Sequence, residues 1–156
     1  MFHEVVDDRN DDGRGDETAT EETDDAVTAA ALLASFEAMV REAASDAGRD
    51  RITEETSLSE RDVKAAVNGG MAELTVTDGA AVLALTADRD PDGVVAELRD
   101  HLLIGMATAV LDVDTIAASI DADLTGQEVQ QALEGRTAMT LGQLAEIMAV
   151  IERRKR

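Results

Sequence analysis

Apolar positions fall at helical spacing along almost the whole of this 156-residue chain. Val27, Leu32, Phe36, Met39, Val40 and Ala43 form one stripe that ends near Gly48, the pattern of an amphipathic helix with a single buried face. A second stripe, Val94, Val95, Leu98, Leu102, Met106, Ala109 and Val110, predicts a long helix from about Asp92 to Leu111. Asp90-Pro91 sets its start, because proline lacks the N–H that a first helical turn leaves unbonded anyway. No stretch joins strand alternation to hairpin turn chemistry, so the expected fold class is all-α.

The pattern also repeats. ITEETSLSERDVKAAVNGG, from Ile52, runs through MAEL into TVTDGAAVLAL, and IAASIDADLTGQEVQQALEGR, from Ile116, runs through TAM into TLGQLAEIMAV. A shift of 66 places Leu58 on Leu124, Ser59 on Thr125, Val63 on Val129, Val67 on Leu133 and Gly69 on Gly135. A shift of 65 then places Thr75 on Thr140, Val76 on Leu141, Ala80 on Ala145, Val82 on Ile147 and Leu83 on Met148. With one long helix in front of each copy, the expectation is two tandem units of four helices, near 26–86 and 87–156.

Each copy contains a short helix, a turn and a second short helix that ends at glycine. Ser59 and Thr125 stand at N-cap positions, with Asp62 and Glu128 three residues on, the spacing of a capping box. Val63 with Val67, and Val129 with Leu133, make inward pairs four apart, and Gly69 and Gly135 stand where a left-handed residue closes a helix. That run resembles the helix-turn-helix of the phage repressor and Cro-like family. In the first copy Ile52, Leu58, Ser59, Val63, Val67 and Gly69 fall on the family's run without a gap. In the second copy Ile116 to Val129 is two residues longer, so the turn at Asp121, Ala122 and Asp123 departs from it. The chain as a whole, above all DHLLIGMATAVLDVDTIA followed by EVQQALEGR, also resembles a haloarchaeal family with no assigned function.

The resemblance implies that the second helix of the motif enters the major groove of double-stranded DNA. Its reading positions would be Thr125, Gly126, Gln127, Gln130 and Gln131 in the second copy, and Ser59, Glu60, Arg61, Lys64 and Ala65 in the first. Glutamine bonds adenine through N6 and N7, so QEVQQ suits readout; the plainer reading is a good helix former on a solvated face. Glu60 and Asp62 would meet phosphates with like charge, which makes the first copy a packing or dimerisation copy with Arg61 and Lys64 as its remaining contacts. Phosphate contacts would come from Arg136, Thr137 and the tail Arg153, Arg154, Lys155 and Arg156, although cations after a last helical turn also simply complement its dipole.

Charge changes how that partner is weighed. The chain carries 34 acids against 14 Lys and Arg, a net charge of −20. Acids outnumber bases 11 to 2 over residues 1–25, 10 to 5 over 26–86 and 13 to 7 over 87–156, so acidity runs through every segment. Only Lys64 and Lys155 are lysines. Such a composition resembles the proteins of extreme halophiles, where molar salt shortens the Debye length to about 3 Å and screens self-repulsion. Acidity then reports the solvent and does not by itself argue against DNA. Residues 7–25 hold no large apolar side chain, so residues 1–25 are expected to form a disordered acidic tail.

Other chemistry is sparse. There is no Cys, which removes disulfides and thiolate metal sites. His3 and His101 are the only histidines and read as structural. Nucleophile motifs, a P-loop and GxGxxG are absent, and so is any run of about 18 apolar residues or a basic leader. The expectation is a cytoplasmic protein without cofactor, membrane partner or evident small-molecule substrate, and not an enzyme. The leading function is a sequence-specific DNA-binding transcriptional regulator; the alternative is a helical interaction module whose motif only packs or makes a homodimer.

Overall fold

The computed structural model describes residues 1–4, 28–69, 72–121 and 123–155. Among them lie eight α-helices and no strand: α1 (Ala29–Ala47), α2 (Arg49–Glu55), α3 (Glu60–Asn68), α4 (Val76–Ala87), α5 (Pro91–Ala109), α6 (Val113–Ser119), α7 (Gly126–Leu133) and α8 (Leu141–Arg154). The protein is all-helical. No single helix among the described residues is long and apolar enough to cross a membrane.

Side-chain caps start most of these helices. Thr28, Ser59, Thr75, Asp90, Asp112, Thr125 and Thr140 each accept a bond from a first-turn N–H, satisfying a donor that the helix leaves open. Gly48 ends α1 with φ +85°, a conformation that costs glycine little. Its counterpart 62 positions on is Val110, which ends α5 at φ +55° and is 90% exposed. Val110 was expected to face inward. Instead α5 stops one residue earlier, and the chain turns outward through a left-handed valine before re-entering at α6. Met39, Val95 and Ala109 are half-buried, and Val27 lies outside the described residues.

The order long, short, short, medium occurs twice, with 19, 7, 9 and 12 residues and then 19, 7, 8 and 14. Leu32, Phe36, Val40, Ala43 and Ala44 are buried in α1, and Val94, Leu98, Leu102, Gly105 and Met106, each 62 positions on, are buried in α5. The two stretches nonetheless share one core. α1 lies on α4 and as extensively on α8, while α4 lies on α5 and α5 on α8. Their backbones also join. Val76 N–H donates to the Met139 carbonyl at 2.7 Å, and Leu141 N–H donates to the Leu74 carbonyl at 2.8 Å, so the segments before α4 and α8 cross antiparallel at Thr75 and Thr140. The residue 86/87 division therefore runs through shared packing.

α8 is buried on nearly every side, from Leu144 and Ala145 through Ile147 to Glu152, as befits a helix apolar around most of its girth. Gly105 lets it approach α5: a Cβ there would lie 2.7 Å from Ile151 Cγ2. The core also takes in the N-terminus, which was expected to be part of a disordered tail. Phe2 is fully buried, edge-on to Phe36 with ring centroids 5.3 Å apart. His3 lies 5.1 Å from the His101 ring on α5. Met1–Glu4 is thus docked, and the expected disorder of residues 5–25 lies outside the described residues.

Candidate nucleic-acid interface

α6 and α7 are a closely packed pair. Asp112 starts α6 by accepting from Thr115 N–H at 2.8 Å, a bond that holds its carboxyl below the usual range. Past Ser119 the Asp121 N–H donates to Glu146 Oε1 of α8 at 2.9 Å, tying the longer turn of the second copy to the core helix. α7 then begins on a complete capping box: Glu128 N–H donates to Thr125 Oγ1 at 3.1 Å, and Thr125 N–H to Glu128 Oε1 at 3.0 Å. Val129, Ala132 and Leu133 turn inward.

Gly126 was expected among the exposed reading positions, and it is buried. Any Cβ there would collide with the Asp114 carboxylate and come within 3.2 Å of its Cα. This glycine lets the start of α7 lie directly against α6. Thr125, Gln127 and Gln130 are exposed, whereas Gln131, also expected outward, is half-buried. Two glutamines, i and i+3, therefore share the outer face of α7. Gln130 Nε2 donates to Glu134 Oε1 at 3.1 Å, and Arg136 Nε lies 3.3 Å from Glu134 Oε2. Arg136 and Thr137 are exposed just beyond.

The first copy differs in detail. Ser59 accepts from Asp62 N–H at 3.2 Å, but only that half of the capping box forms. Asp62 lies close enough to Asp78 to reinforce the upward pull that burial exerts on the Asp78 carboxyl. Glu60, Arg61 and Lys64 are exposed. Ala65, expected to be exposed, and Val67, expected to be buried, are both half-buried; Val63 is buried as expected. Arg61 Nη2 lies 3.7 Å from Glu73 Oε2, with both side chains almost wholly in solvent, a pair that contributes little.

At the C-terminus Arg153, Arg154 and Lys155 are exposed, and Arg156 lies outside the described residues. Arg153 Nε donates to the Ala149 carbonyl at 3.2 Å, and Lys155 Nζ lies 2.9 Å from Glu152 Oε2. The candidate cations are therefore engaged with nearby acids and carbonyls, except Lys64 and Arg154, for which no such contact forms among the described residues. Around α7, Asp114, Asp121, Asp123, Glu128 and Glu134 are all exposed. That acidic rim was present in the sequence as close neighbours of QEVQQ. Glu128 is drawn back onto the cap and Glu134 is shared between Gln130 and Arg136, so two of these acids are turned to local bonds while the rim stays acidic. Among the described residues, no group of three or more His, Asp or Glu side chains is arranged to hold a metal ion.

The described residues thus define a small all-helical protein in which two similar four-helix runs share one core. Residues 32–154, spanning nearly all eight helices, match a family of unknown function (DUF5791), and the chain belongs to that family. No curated protein and no solved structure matches the chain.

Proposed function

We propose that the chain is a sequence-specific DNA-binding protein that reads base edges with α7 and acts in transcriptional regulation. The observation that carries this reading is the pair Gln127 and Gln130, exposed side by side on a helix whose start is locked by a reciprocal cap and braced on α6. Amide side chains at that spacing can each meet an adenine edge. Thr125 flanks them, and Arg136 and Thr137 stand at the far end for backbone contact. Few cations are free for phosphate, so affinity would rest on direct base contacts. Selection of bound sequences from a random DNA pool in multimolar KCl tests the reading. A recovered consensus, whose binding weakens by about 1–3 kcal/mol in Gln130→Ala with relaxed choice at one base, is the expected result. Failure to enrich any sequence overturns it.

A second reading, self-association, is favoured by a different surface. Leu103 and Ile104 on α5 and Val110 just past its end are exposed at 49%, 67% and 90%. Their counterparts 62 positions earlier are Arg41, Glu42 and Gly48. A second copy of so acidic a chain is most easily met through an uncharged face, and this strip is the place for it. Light-scattering mass in high salt distinguishes the readings: a dimer that Ile104→Glu dissociates supports the second, and a monomer removes it.

A further inference from the structure

A groove among the described residues departs from the acidic balance of the rest. It lies between the start of α4, the exposed shoulder of α5 and the segment after α7, with a volume of about 400 Å³, within the usual range for small-molecule sites. Val95, Leu98 and Met139 give it apolar walls, and Arg99, Arg136 and Asp92 are its charged side chains. With Glu134 at the rim, paired to Arg136, two arginines meet two acids, a more cationic balance than that of a chain with 34 acids and 14 Lys and Arg.

The groove arises from a difference between the two copies. In the first, Gly142 N–H donates to the Ala72 carbonyl at 2.9 Å, so Ala72 is held against the start of α8. The counterparts, 65 positions away, are Thr77 N–H and the Thr137 carbonyl. The loop from Gly135 to Met139 is one residue shorter than that from Gly69 to Leu74, and the corresponding bond is not made among the described residues. Thr77 and Thr137 instead both line the open groove.

Arg99 is held there without being satisfied. Its Nη1 donates to the Glu134 carbonyl at 3.2 Å, across Gly135, where φ is +79° and a Cβ would lie 2.5 Å from that nitrogen. Its Nε is buried and has no hydrogen-bond partner. A desolvated guanidinium N–H without an acceptor is unfavourable, and a small rotation of the Arg99 side chain toward the groove would let a bound oxyanion supply one. Arg136 is paired only with Glu134, in an exposed contact that a competing anion can exchange.

We infer that this groove binds a small organic oxyanion, a carboxylate or phosphate ester on a compact aliphatic body. Arg99 and Arg136 take the charged head, the Thr77 and Thr137 hydroxyls flank it, and the body lies on the accessible parts of Val95 and Ala138. Asp92 keeps the ligand's negative charge to a single group. Arg136 and Thr137 also stand in the proposed DNA contact, but the groove's geometry does not depend on DNA being read by α7.

The test uses the full chain with nitrogen-15 arginine, in the salt that keeps it folded. The arginine Nε–Hε signals are followed by NMR during titration with hexanoate, hexyl phosphate and, as a cationic control, hexyltrimethylammonium. A saturable shift of the Arg99 signal with hexanoate or hexyl phosphate, and none with the control, supports the site; whichever anion binds more tightly identifies the head group. Arg136→Gln, at an exposed position that the fold tolerates, should weaken binding about tenfold or more, the scale of one charge-assisted hydrogen bond. Arg99→Gln should abolish it if the variant keeps its helical spectrum. No saturable shift with either anion overturns the inference. So does equal binding of the control, or an Arg136→Gln variant that binds as the parent does.

Discussion

Replacing Phe2 by alanine separates a docked N-terminus from a solvated tail. The Phe2 ring is fully buried, edge-on to Phe36 and against α4, where a Cβ on Gly79 would lie 3.2 Å from its Cζ. A phenylalanine buries about 150–250 Å², which at about 25 cal/mol per Å² is worth roughly 4–6 kcal/mol. That sum is an upper bound, because the variant need not keep the cavity. Met1–Glu4 can undock, and each released residue regains about 1–2 kcal/mol of backbone entropy. The loss is then capped at the net contribution of docking, and we expect about 1–2 kcal/mol. Urea unfolding followed by helical circular dichroism in concentrated KCl measures it. Deleting residues 1–4 should cost the same as Phe2→Ala, since the ring is what anchors them. In a double-mutant cycle with Phe36→Leu, a coupling of about 0.5–1.5 kcal/mol should report the edge-on pair. A Phe2→Ala loss below about 0.5 kcal/mol, the range of ordinary surface substitutions, would refute the docking.

Val110→Gly should stabilise the protein by about 1 kcal/mol, because the left-handed conformation strains a β-branched residue and this side chain buries almost nothing; a destabilised variant would contradict the strain. Gly105→Ala should destabilise although alanine favours helix by about 1 kcal/mol, since the new methyl meets Ile151 Cγ2, and Ile151→Leu, which removes that branch, should restore part of the loss in urea melts. Asp78, pushed above its ordinary pKa first by burial and then by Asp62, contributes its full stability below the ordinary carboxylate range and loses it as pH rises through the raised value. Asp78→Asn should therefore gain on the parent as pH climbs from 4 to 7, and melts showing no such divergence would count against it. With acids dominating every segment, the helical signal should also fall as KCl is lowered toward dilute buffer, whereas cooperative folding without salt would show that repulsion is tolerated.

Much of the fold was legible because it depends on local pattern. The helical stripes, the caps at Ser59 and Thr125, the closing glycines Gly69 and Gly135, and the burial of Val63, Val129 and Leu133 all follow from spacing and backbone chemistry. What failed needed a neighbour from elsewhere in the chain. Gly126 reads as a neutral position on an exposed face until Asp114 of α6 is laid against it. Phe2 stands ahead of an acidic stretch, residues 7–25, without large apolar side chains, and only the presence of Phe36 and the gap at Gly79 shows what it packs on. Val110 continues the inward stripe of α5 by count, but the chain must turn there, and Gly48 at the corresponding place was the sign that a helix ends. The partner of α1 was the largest omission: two runs read as successive units exchange helix contacts, because neither four-helix run covers its own long helix completely.

That shared packing also indicates where function is to be sought. The inward residues of both copies answer to the same core, so Leu32, Phe36 and Val40 are matched by Val94, Leu98 and Leu102, apolar for apolar. Outward positions carry no such constraint, and there the copies diverge in one direction. Arg41, Glu42 and Gly48 become Leu103, Ile104 and Val110; Arg61 and Lys64 become Gln127 and Gln130; and where Ala72 is held against α8 in the first copy, the second leaves a groove beside α4. Stability alone does not ask for an exposed isoleucine, a strained valine or an arginine nitrogen buried without an acceptor. All of them lie on α5 or just past its end. The second run, with its departures gathered on α5, α7 and the segment that follows, is the half on which binding experiments should be aimed.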